Sequence, residues 1–313
     1  MRNLLLVAEQ VAVLFALMGV GAVLRKARLI DETGIGGIVN LLLLVVTPCL
    51  IVDSFQRPFD SAMLTGLGLA FLIAVVGHLL VIAVARRVVR HPDEDVRRPL
   101  LLAAVFSNAG FMGIPLEQAI LGEKGVFFGV VYVVVFNLVM WSWGVRTMEK
   151  GARFGSAWSW KAVVNPGTAG LALGLPLFLL SVRLPTTLAA PVHHLANLNT
   201  PLAMVVIGYS LAGARLGRVL RLPAAHVAAA VRLVAYPLAL LALLLPFRGA
   251  LDRDMALALV VAAAAPSAAM VSMFAVRYGR DVDASVAVVS GTTLASVLTM
   301  PPVIALALAA FGG

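Results

Sequence analysis

Charged residues are scarce in this sequence. Only 12% of its 313 residues are Asp, Glu, Lys or Arg, whereas an ordinary soluble domain has about 25%. A soluble chain of this length would need more polar surface than these residues provide to cover its core. With 61% hydrophobic residues and a mean hydropathy of +1.01, the composition excludes a soluble globular protein and predicts an all-α integral membrane protein.

Cysteine is nearly absent as well. The single Cys49 excludes an intrachain disulfide and a cysteine-based metal cage. The sequence has no Walker-type glycine loop, HExxH or GxSxG motif. We therefore expect no cofactor, no metal and no enzymatic activity. A membrane-embedded enzyme is the remote alternative, but it would need convergent carboxylates or a nucleophile–base pair, and the sequence offers neither.

Long apolar stretches divide the chain into ten predicted membrane spans. About 20 apolar residues cross a bilayer as a helix, and most of the stretches reach that length. Two of them contain one charge each, Glu9 and Arg232. The ten stretches are 3–24, 33–52, 61–85, 99–116, 125–145, 162–182, 184–214, 222–247, 255–276 and 284–313.

The distribution of Lys and Arg predicts the orientation. Of the 24 basic residues, seventeen lie in the loops after odd-numbered spans, including Arg215 and Arg218, and six lie in the termini and the other loops. Cytoplasmic loops of membrane proteins collect Lys and Arg, so the net charge of +9 does not indicate nucleic-acid binding. We expect a multi-pass protein of the plasma (inner) membrane, a lipid bilayer as its surroundings, and both termini outside.

The chain is predicted to contain two inverted five-helix repeats, residues 1–150 and 151–313. The longest cytoplasmic connection, Arg146 to Lys161, separates them, and an odd number of spans per repeat inverts the second one. Thr47-Pro48 in the second span corresponds to Thr200-Pro201 in the seventh.

The fourth and ninth spans are interrupted at corresponding places. Ser107–Pro115 interrupts the fourth span and Ala265–Ser267 the ninth, and glycine turns follow at Gly122 and Gly279. Paired interruptions in inverted halves indicate a transporter's binding site.

Broken helices have backbone groups that can bind an anion. Pro115 and Pro266 lack an N–H and free groups one turn away, and half-helix N-termini carry free N–H donors and partial positive charge. Asn108 adds a donor and an acceptor. The predicted substrate contacts are Asn108, Gly110, Gly113, Pro115, Pro266, Ser267, Asn137, Thr292, Thr47, Thr200 and Arg232.

The interrupted segments resemble known sequence signatures. SNAGFMGIPL (Ser107–Leu116) resembles the fourth-helix signature of the auxin efflux carrier family, and VTPCLIVDSF (Val46–Phe55) and APSAAMVSMFAVRYG (Ala265–Gly279) are similar to that family's second and ninth helices. The resemblance implies a fold like the bile-acid sodium symporters. Helices 1, 2, 6 and 7 would form a scaffold, helices 3–5 and 8–10 would form a transport domain, and helices 4 and 9 would cross at their unwound centres in an elevator-type mechanism.

One difference from the sodium-coupled relatives affects which gradient would drive transport. They use an acidic residue and a glutamine at the ninth-helix crossing, whereas Ala262 to Met273 contains neither. An inside-negative potential favours exit of a monovalent anion by about 2.3 kcal/mol per 100 mV, so export needs no coupling ion. We expect potential-driven export of a small organic anion. The alternative is sodium or proton coupling, with Ser107 and Glu117 as the ion-site candidates.

Several intramembrane residues have more than one interpretation. Arg232 would bind the anion, pair with Glu117, or satisfy helix-end carbonyls. Glu117 would be a proton carrier or, as we expect, a snorkelling charge at the outer rim. His78 is expected to be a hydrogen-bonded packing residue. Gly170 and Gly174 form a GxxxG motif that would mediate either a homodimer contact or close packing within the scaffold.

Overall fold

The computed structural model describes residues 2–150, 166–213 and 221–311. Every regular element in these ranges is helical, and a single isolated β-bridge joins two of the breaks. The helices are α1 (Arg2–Lys26), α2 (Glu32–Leu41), α3 (Thr47–Ser54), α4 (Ser61–Val88), α5 (Glu94–Val105), α6 (Ile114–Val139), α7 (Val145–Met148), α8 (Pro166–Leu179), α9 (Thr186–Ala196), α10 (Asn199–Ala212), α11 (Pro223–Ala230), α12 (Tyr236–Leu244), α13 (Arg253–Ala264), α14 (Met270–Arg277) and α15 (Val282–Phe311).

Short π-helical turns join several of these helices into longer rods. They lie at Leu42–Val46, Ala109–Gly113, Met140–Gly144 and Val231–Ala235. Six helices of the described ranges are long and apolar enough to cross a membrane: Glu32–Ser54, Ser61–Val88, Ala109–Met148, Thr186–Ala212, Pro223–Phe247 and Val282–Phe311. The all-helical membrane architecture is therefore confirmed, while the ten-span count and the inverted repeat stay predictions.

The rod Ala109–Met148 is a helical hairpin. Its 40 residues would extend about 60 Å as a straight helix, twice the hydrocarbon thickness of a bilayer. Gly122 interrupts it with φ 66° and ψ −156°, and a Cβ placed on Gly129 would overlap the carboxyl group of Glu117. The two arms of α6 therefore fold against each other, as the separate fourth and fifth spans predict.

Glycines allow one group of helices to pack closely. A Cβ on Gly21 of α1 would overlap Val205 O of α10, and one on Gly208 of α10 would overlap Met18 O of α1. On α8, a Cβ at Gly170 would lie 3.0 Å from Ile51 Cβ of α3. The GxxxG motif thus packs within the chain, against the helix that begins with Thr47-Pro48.

A second group of helices surrounds the breaks. Helix α13 packs on α6, α12 and α15, and α5 packs on α4, α11 and α15. Residues 255–264 of α13 are at most 1% exposed, so this short helix is enclosed by protein from its third residue to its end. Complete burial explains why its sequence shows continuous apolar character instead of one apolar face.

Two glycine turns lie where the sequence predicts them. Gly122 and Gly279 have φ of 66° and 61°, the left-handed region that glycine adopts without strain. Beyond Gly279, the Arg280 guanidinium donates to Met148 O at 2.7 Å and to Asp95 Oδ1 at 2.5 Å. The hydrogen bond from Arg280 lowers the pKa of Asp95, so this ion pair fastens α5 to the segment before α15.

Three features of the sequence prediction fall outside the described residues. They are most of the connection between Arg146 and Lys161, the start of the sixth span, and the basic residues Arg215 and Arg218.

Candidate functional site

The candidate site forms where two helices are broken. Helix α5 ends at Val105, and a π-helical turn resumes at Ala109 and leads into α6 with Pro115 in its first turn. Helix α13 ends at Ala264, and α14 begins at Met270. Pro115 lies after the first break, in an early helix position where a missing N–H is tolerated. Pro266 lies within the second break and cannot donate the hydrogen bond that a continuous helix needs.

The two breaks cross and pair as a minimal antiparallel sheet. Ser107 and Ser267 form the bridge between them, and both are completely buried. Unwound backbone inside a membrane protein must find internal partners, and each break supplies them to the other. The flanking hydrogen bonds are Asn108 N to Pro266 O at 2.6 Å and Ala268 N to Phe106 O at 2.9 Å.

Hydroxyl groups fix the crossing further. Ser267 Oγ donates to Ala103 O at 2.8 Å, while Ser267 N donates to Thr292 Oγ1 at 3.2 Å. Thr292, on α15, is 1% exposed and itself donates to Val288 O at 2.8 Å. Ser267 and Thr292, both predicted as substrate contacts, thus have protein partners that hold the second break in place.

Arg232 lies at the centre of this arrangement and is completely buried. Its Nη1 donates to Val105 O at 2.8 Å, and its Nη2 donates to Ala263 O. These carbonyls are at the C-terminal ends of α5 and α13, where each helix carries about −0.5 elementary charge. One guanidinium therefore balances two helix ends. Of the three sequence-based interpretations, this geometry matches the satisfaction of helix-end carbonyls.

An aromatic cluster surrounds Arg232. Its guanidinium carbon lies 4.8 Å from the ring centroid of Tyr236, whose hydroxyl is 3.3 Å from that of Tyr132. Ser107 Oγ donates to the Tyr132 hydroxyl at 3.4 Å. His78 packs on Tyr132 with a ring separation of 5.0 Å, and its Nδ1 lies 2.8 Å from Ala74 O. The packing role predicted for His78 matches this geometry.

The helical turn that follows the first break has unused donors at its N-terminus. Asn108 precedes the helical turn, but its side chain does not cap it, and its own carbonyl accepts only from Met112 N and Gly113 N in the described chain. The N–H groups of the first residues of a helix have no intrahelical partner. Residues 109–111 and the Asn108 carboxamide are therefore available to a ligand.

The two predicted glycines beside Asn108 play different parts. A Cβ on Gly113 would lie 3.4 Å from Ala262 Cα, so α13 passes closely behind the turn, as the sequence predicts. At Gly110 nothing lies within 4 Å of the Cβ position. Gly110 therefore borders a gap that a ligand can enter.

Asn199 is a site residue that sequence reasoning missed. It begins α10, is 3% exposed, and its Nδ2 donates to Gly110 O at 3.4 Å. Its place directly before Thr200-Pro201 was a usable signal, since a buried amide at a helix start needs a partner. Asn199 brings a second amide to the gap, from the helix group that contains α1 and α10.

Three other predicted contacts make local hydrogen bonds or are partly exposed. Asn137 Nδ2 donates to Val133 O and Thr47 Oγ1 to Leu42 O, each at 2.8 Å. Thr200, at the start of α10, is half-buried. Their contact with a substrate stays a prediction.

The structure corrects the sequence interpretation of Glu117. A snorkelling rim charge would be exposed, but Glu117 is 0% exposed and no described residue hydrogen-bonds its carboxyl group. It does not pair with Arg232 either: that guanidinium donates to the backbone carbonyls of Val105 and Ala263, and neither carboxyl oxygen of Glu117 has a hydrogen-bond partner in the described residues. The kink at Gly122 folds the second arm of α6 over the carboxyl, and this folding could not be read from the spacing of charges.

A polar cavity of about 140 Å³ opens between α3, α6 and α9, at the ends that the predicted topology places outside. Its lining includes Asp53, Arg57, Gln118, Glu123 and His193. His193 Nδ1 lies 3.0 Å from Asp53 Oδ2, and Arg57 Nη2 donates to Glu123 O at 3.2 Å.

Paired broken helices inside an apolar bundle, with open half-helix donors at their crossing, define a multi-pass membrane transporter. The sequence profile of the membrane transport protein family matches the chain twice, over residues 6–157 and 153–304. A protein of Methanothermobacter thermautotrophicus described as an uncharacterized transporter is 26% identical over 300 residues, 94% of this chain and 96% of its own length. The chain belongs to the membrane transport protein family, which includes the auxin efflux carriers that its motifs resemble.

Proposed function

We propose that this protein is a secondary carrier that exports a small organic anion by elevator-type alternating access. The observation that carries the proposal is the crossing itself. The Ser107–Ser267 bridge fixes a turn whose first N–H groups, at residues 109–111, and whose preceding Asn108 carboxamide have no partner in the described chain. A carboxylate is the ligand that such a set of donors binds best.

The charges around the crossing favour an anion. The N-terminal end of the turn at Ala109 carries partial positive charge, and the C-terminal ends of α5 and α13, which would repel an anion, are balanced by Arg232. Arg232 thereby favours anion binding through its charge. A direct contact between Arg232 and the substrate is a further prediction.

The packing supports a division into a moving and a static part. The bridge ties the two breaks together, so α5, α6, α13 and α14 would move as one unit. Helices α1 and α10 are locked by mutual glycine contacts and would be the scaffold. Between them, the hydrogen bond from Asn199 to Gly110 O is long at 3.4 Å, and a contact of this kind is easily exchanged for one with a substrate.

The membrane potential would drive export. A monovalent anion leaving a cell gains about 2.3 kcal/mol per 100 mV of inside-negative potential, and no acidic side chain stands between Ala262 and Met273 to hold a sodium ion. We place the protein in the plasma (inner) membrane with both termini outside, where this potential would drive the anion out of the cell. The alternative to potential-driven export is coupling of the anion to sodium ions or protons. A homodimer is compatible with either form of transport.

Transport by purified protein in proteoliposomes tests the proposal. Labelled monocarboxylates, dicarboxylates and an indole acid would be followed under an imposed potential. We expect Asn108→Ala to reduce flux at least about tenfold, since loss of a hydrogen bond to a charged group costs about 1.5–3 kcal/mol. The matched control is Asn40→Ala, because Asn40 is exposed on α2. Equal flux through a folded Asn108→Ala protein would remove the crossing from the transport path.

A further inference from the structure

Glu117 has an environment that the proposed carrier mechanism does not explain. It lies in the first turn of α6, two residues after Pro115. Its exposure is 0%, and neither Oε1 nor Oε2 has a hydrogen-bond partner in the described residues. A buried polar group without a partner is rare in native proteins and requires a functional or structural explanation.

Two glycines make the space that the carboxyl group occupies. A Cβ on Gly129, in the second arm of α6, would overlap the carboxyl group, and a Cβ on Gly113 would lie 3.7 Å from Oε1. The carboxyl group therefore lies between the two arms of the hairpin, beside the turn at Ala109–Gly113.

No described charge neutralises the carboxyl group. Helices α1, α3, α4, α8, α10 and α13 pack against α6, and none of their described titratable groups pairs with the carboxyl group. The titratable and charged groups on these elements and on α6 itself are Glu9, Arg25, Lys26, Cys49, Asp53, His78, Arg86, Arg87, Glu123, Lys124, Tyr132, Tyr209, Arg253 and Asp254.

An ionised carboxylate is strongly disfavoured in such a place. We propose that Glu117 is a proton-binding site and that the unit formed by α5, α6, α13 and α14 changes position only while this proton is bound. The second part rests on the proposed function. The proton would stay in place with the site loaded or empty, so no net proton transfer would accompany the anion, and the potential would still drive export.

The structure places a route for the proton next to the carboxyl group. Gln118, the following residue, is exposed and lines the polar cavity, so a small separation of the α6 arms would admit water. Water drawn to an ionised Glu117 would loosen the contact between Gly113 and Ala262. That contact lies at the base of the turn with the free donors, so ionisation would disturb the substrate site at the other end of the turn.

Infrared spectroscopy of the purified protein tests the proton directly. A protonated carboxylic acid without a hydrogen bond has a carbonyl stretch separate from the bands of carboxylates and amides. We expect such a band at neutral pH in the wild type and in Glu9→Gln, whose carboxyl group is exposed. The band should be missing from Glu117→Gln. A wild-type spectrum without it, or an unchanged band in Glu117→Gln, would overturn the proton site.

The dependence of flux on pH tests the role of the proton. At a clamped potential and equal pH on both sides, wild-type flux should fall as the pH rises past the point of proton release, by about tenfold per unit as the protonated fraction falls. Glu117→Gln and Glu117→Met, which are permanently neutral, should lose this dependence. Met removes the buried polar atoms and so keeps the test valid if the Gln variant folds poorly.

The outcomes separate this inference from the proposed function. If both neutral variants keep the wild-type pH profile, the gating role is wrong, although anion export stands. If flux is absent from all the proteins while the infrared band is present, the proposed function and the gating role both fail and the proton site alone stands. A proton gradient that drives flux without a potential would show net coupling and overturn the gating role.

Discussion

Replacing Arg232 with leucine removes the cation that joins the two broken helices. The guanidinium is completely buried and donates to Val105 O and Ala263 O. Each of these carbonyls ends a helix with about −0.5 elementary charge, so the substitution leaves roughly one uncompensated negative charge inside the bundle. Leucine fills part of the volume but cannot donate a hydrogen bond.

The expected loss of stability depends on the carbonyl groups that stay buried after Arg232 is replaced. Removing one partner of a buried charged interaction costs about 3–5 kcal/mol, because the remaining groups stay desolvated. The loss of stacking on Tyr236, at 4.8 Å, adds to this loss. For single domains somewhat smaller than this chain, 1 kcal/mol corresponds to about 2–4 °C in unfolding temperature, so we expect Arg232→Leu to lower the midpoint by at least about 6 °C.

Thermal unfolding of the detergent-solubilised protein measures this change. The control is Arg248→Leu, because Arg248 is exposed in the turn after α12. Its unfolding midpoint should stay within about 2 °C of the wild type, since surface substitutions usually change stability by less than about 0.5 kcal/mol. If Arg232→Leu melts at the wild-type temperature, Arg232 does not hold the crossing together.

Two further predictions concern the gap beside Gly110 and the ion pair between Arg280 and Asp95. Gly110→Ala should leave stability unchanged or raise it by up to about 1 kcal/mol, as expected for alanine in a helix, yet it should reduce flux several-fold because its Cβ enters the open space beside the turn. The control Gly36→Ala, whose Cβ also faces open space, should transport normally. Equal flux from both variants would place the substrate elsewhere. Asp95→Asn should lower the unfolding temperature at neutral pH. Because Arg280 lowers the pKa of Asp95, the stabilisation by this ion pair is fully present above the ordinary pKa of about 3.9 and disappears as the pH falls through the lowered pKa of the folded protein. The unfolding temperatures of the two proteins should therefore converge in acid. A difference that stays constant with pH would contradict the role of the ion pair.

Local rules explain which parts of this structure were predictable. The break at Pro266 follows from the missing proline N–H, and the turns at Gly122 and Gly279 follow from the backbone freedom of glycine; the structure has all three. The predicted break Ser107–Pro115 is shorter in the structure, because the helix resumes at Ala109 and Pro115 lies in the first turn of α6. Apolar length gave the helical membrane architecture by the same kind of local reasoning.

Tertiary placement explains what the sequence missed. Whether Glu117 is at the rim or buried depends on how the arms of α6 fold together, and the bonds of Arg232 depend on where three separate helices meet. Asn199 acquires its role only because α10 lies against the first break. The buried amide of Asn199 before Thr200-Pro201 signals that a partner is needed but not which one, and the contacts of Glu117 and Arg232 have no signature in residue spacing.

The most direct test of potential-driven anion export at the crossing is flux in proteoliposomes with the potential, a sodium gradient and a proton gradient imposed one at a time. Release of a labelled organic acid should follow the inside-negative potential alone, at equal sodium concentration and equal pH on both sides, and should fall at least about tenfold in Asn108→Ala. Flux that requires a sodium gradient, or that persists unchanged in Asn108→Ala, would contradict potential-driven export at the crossing.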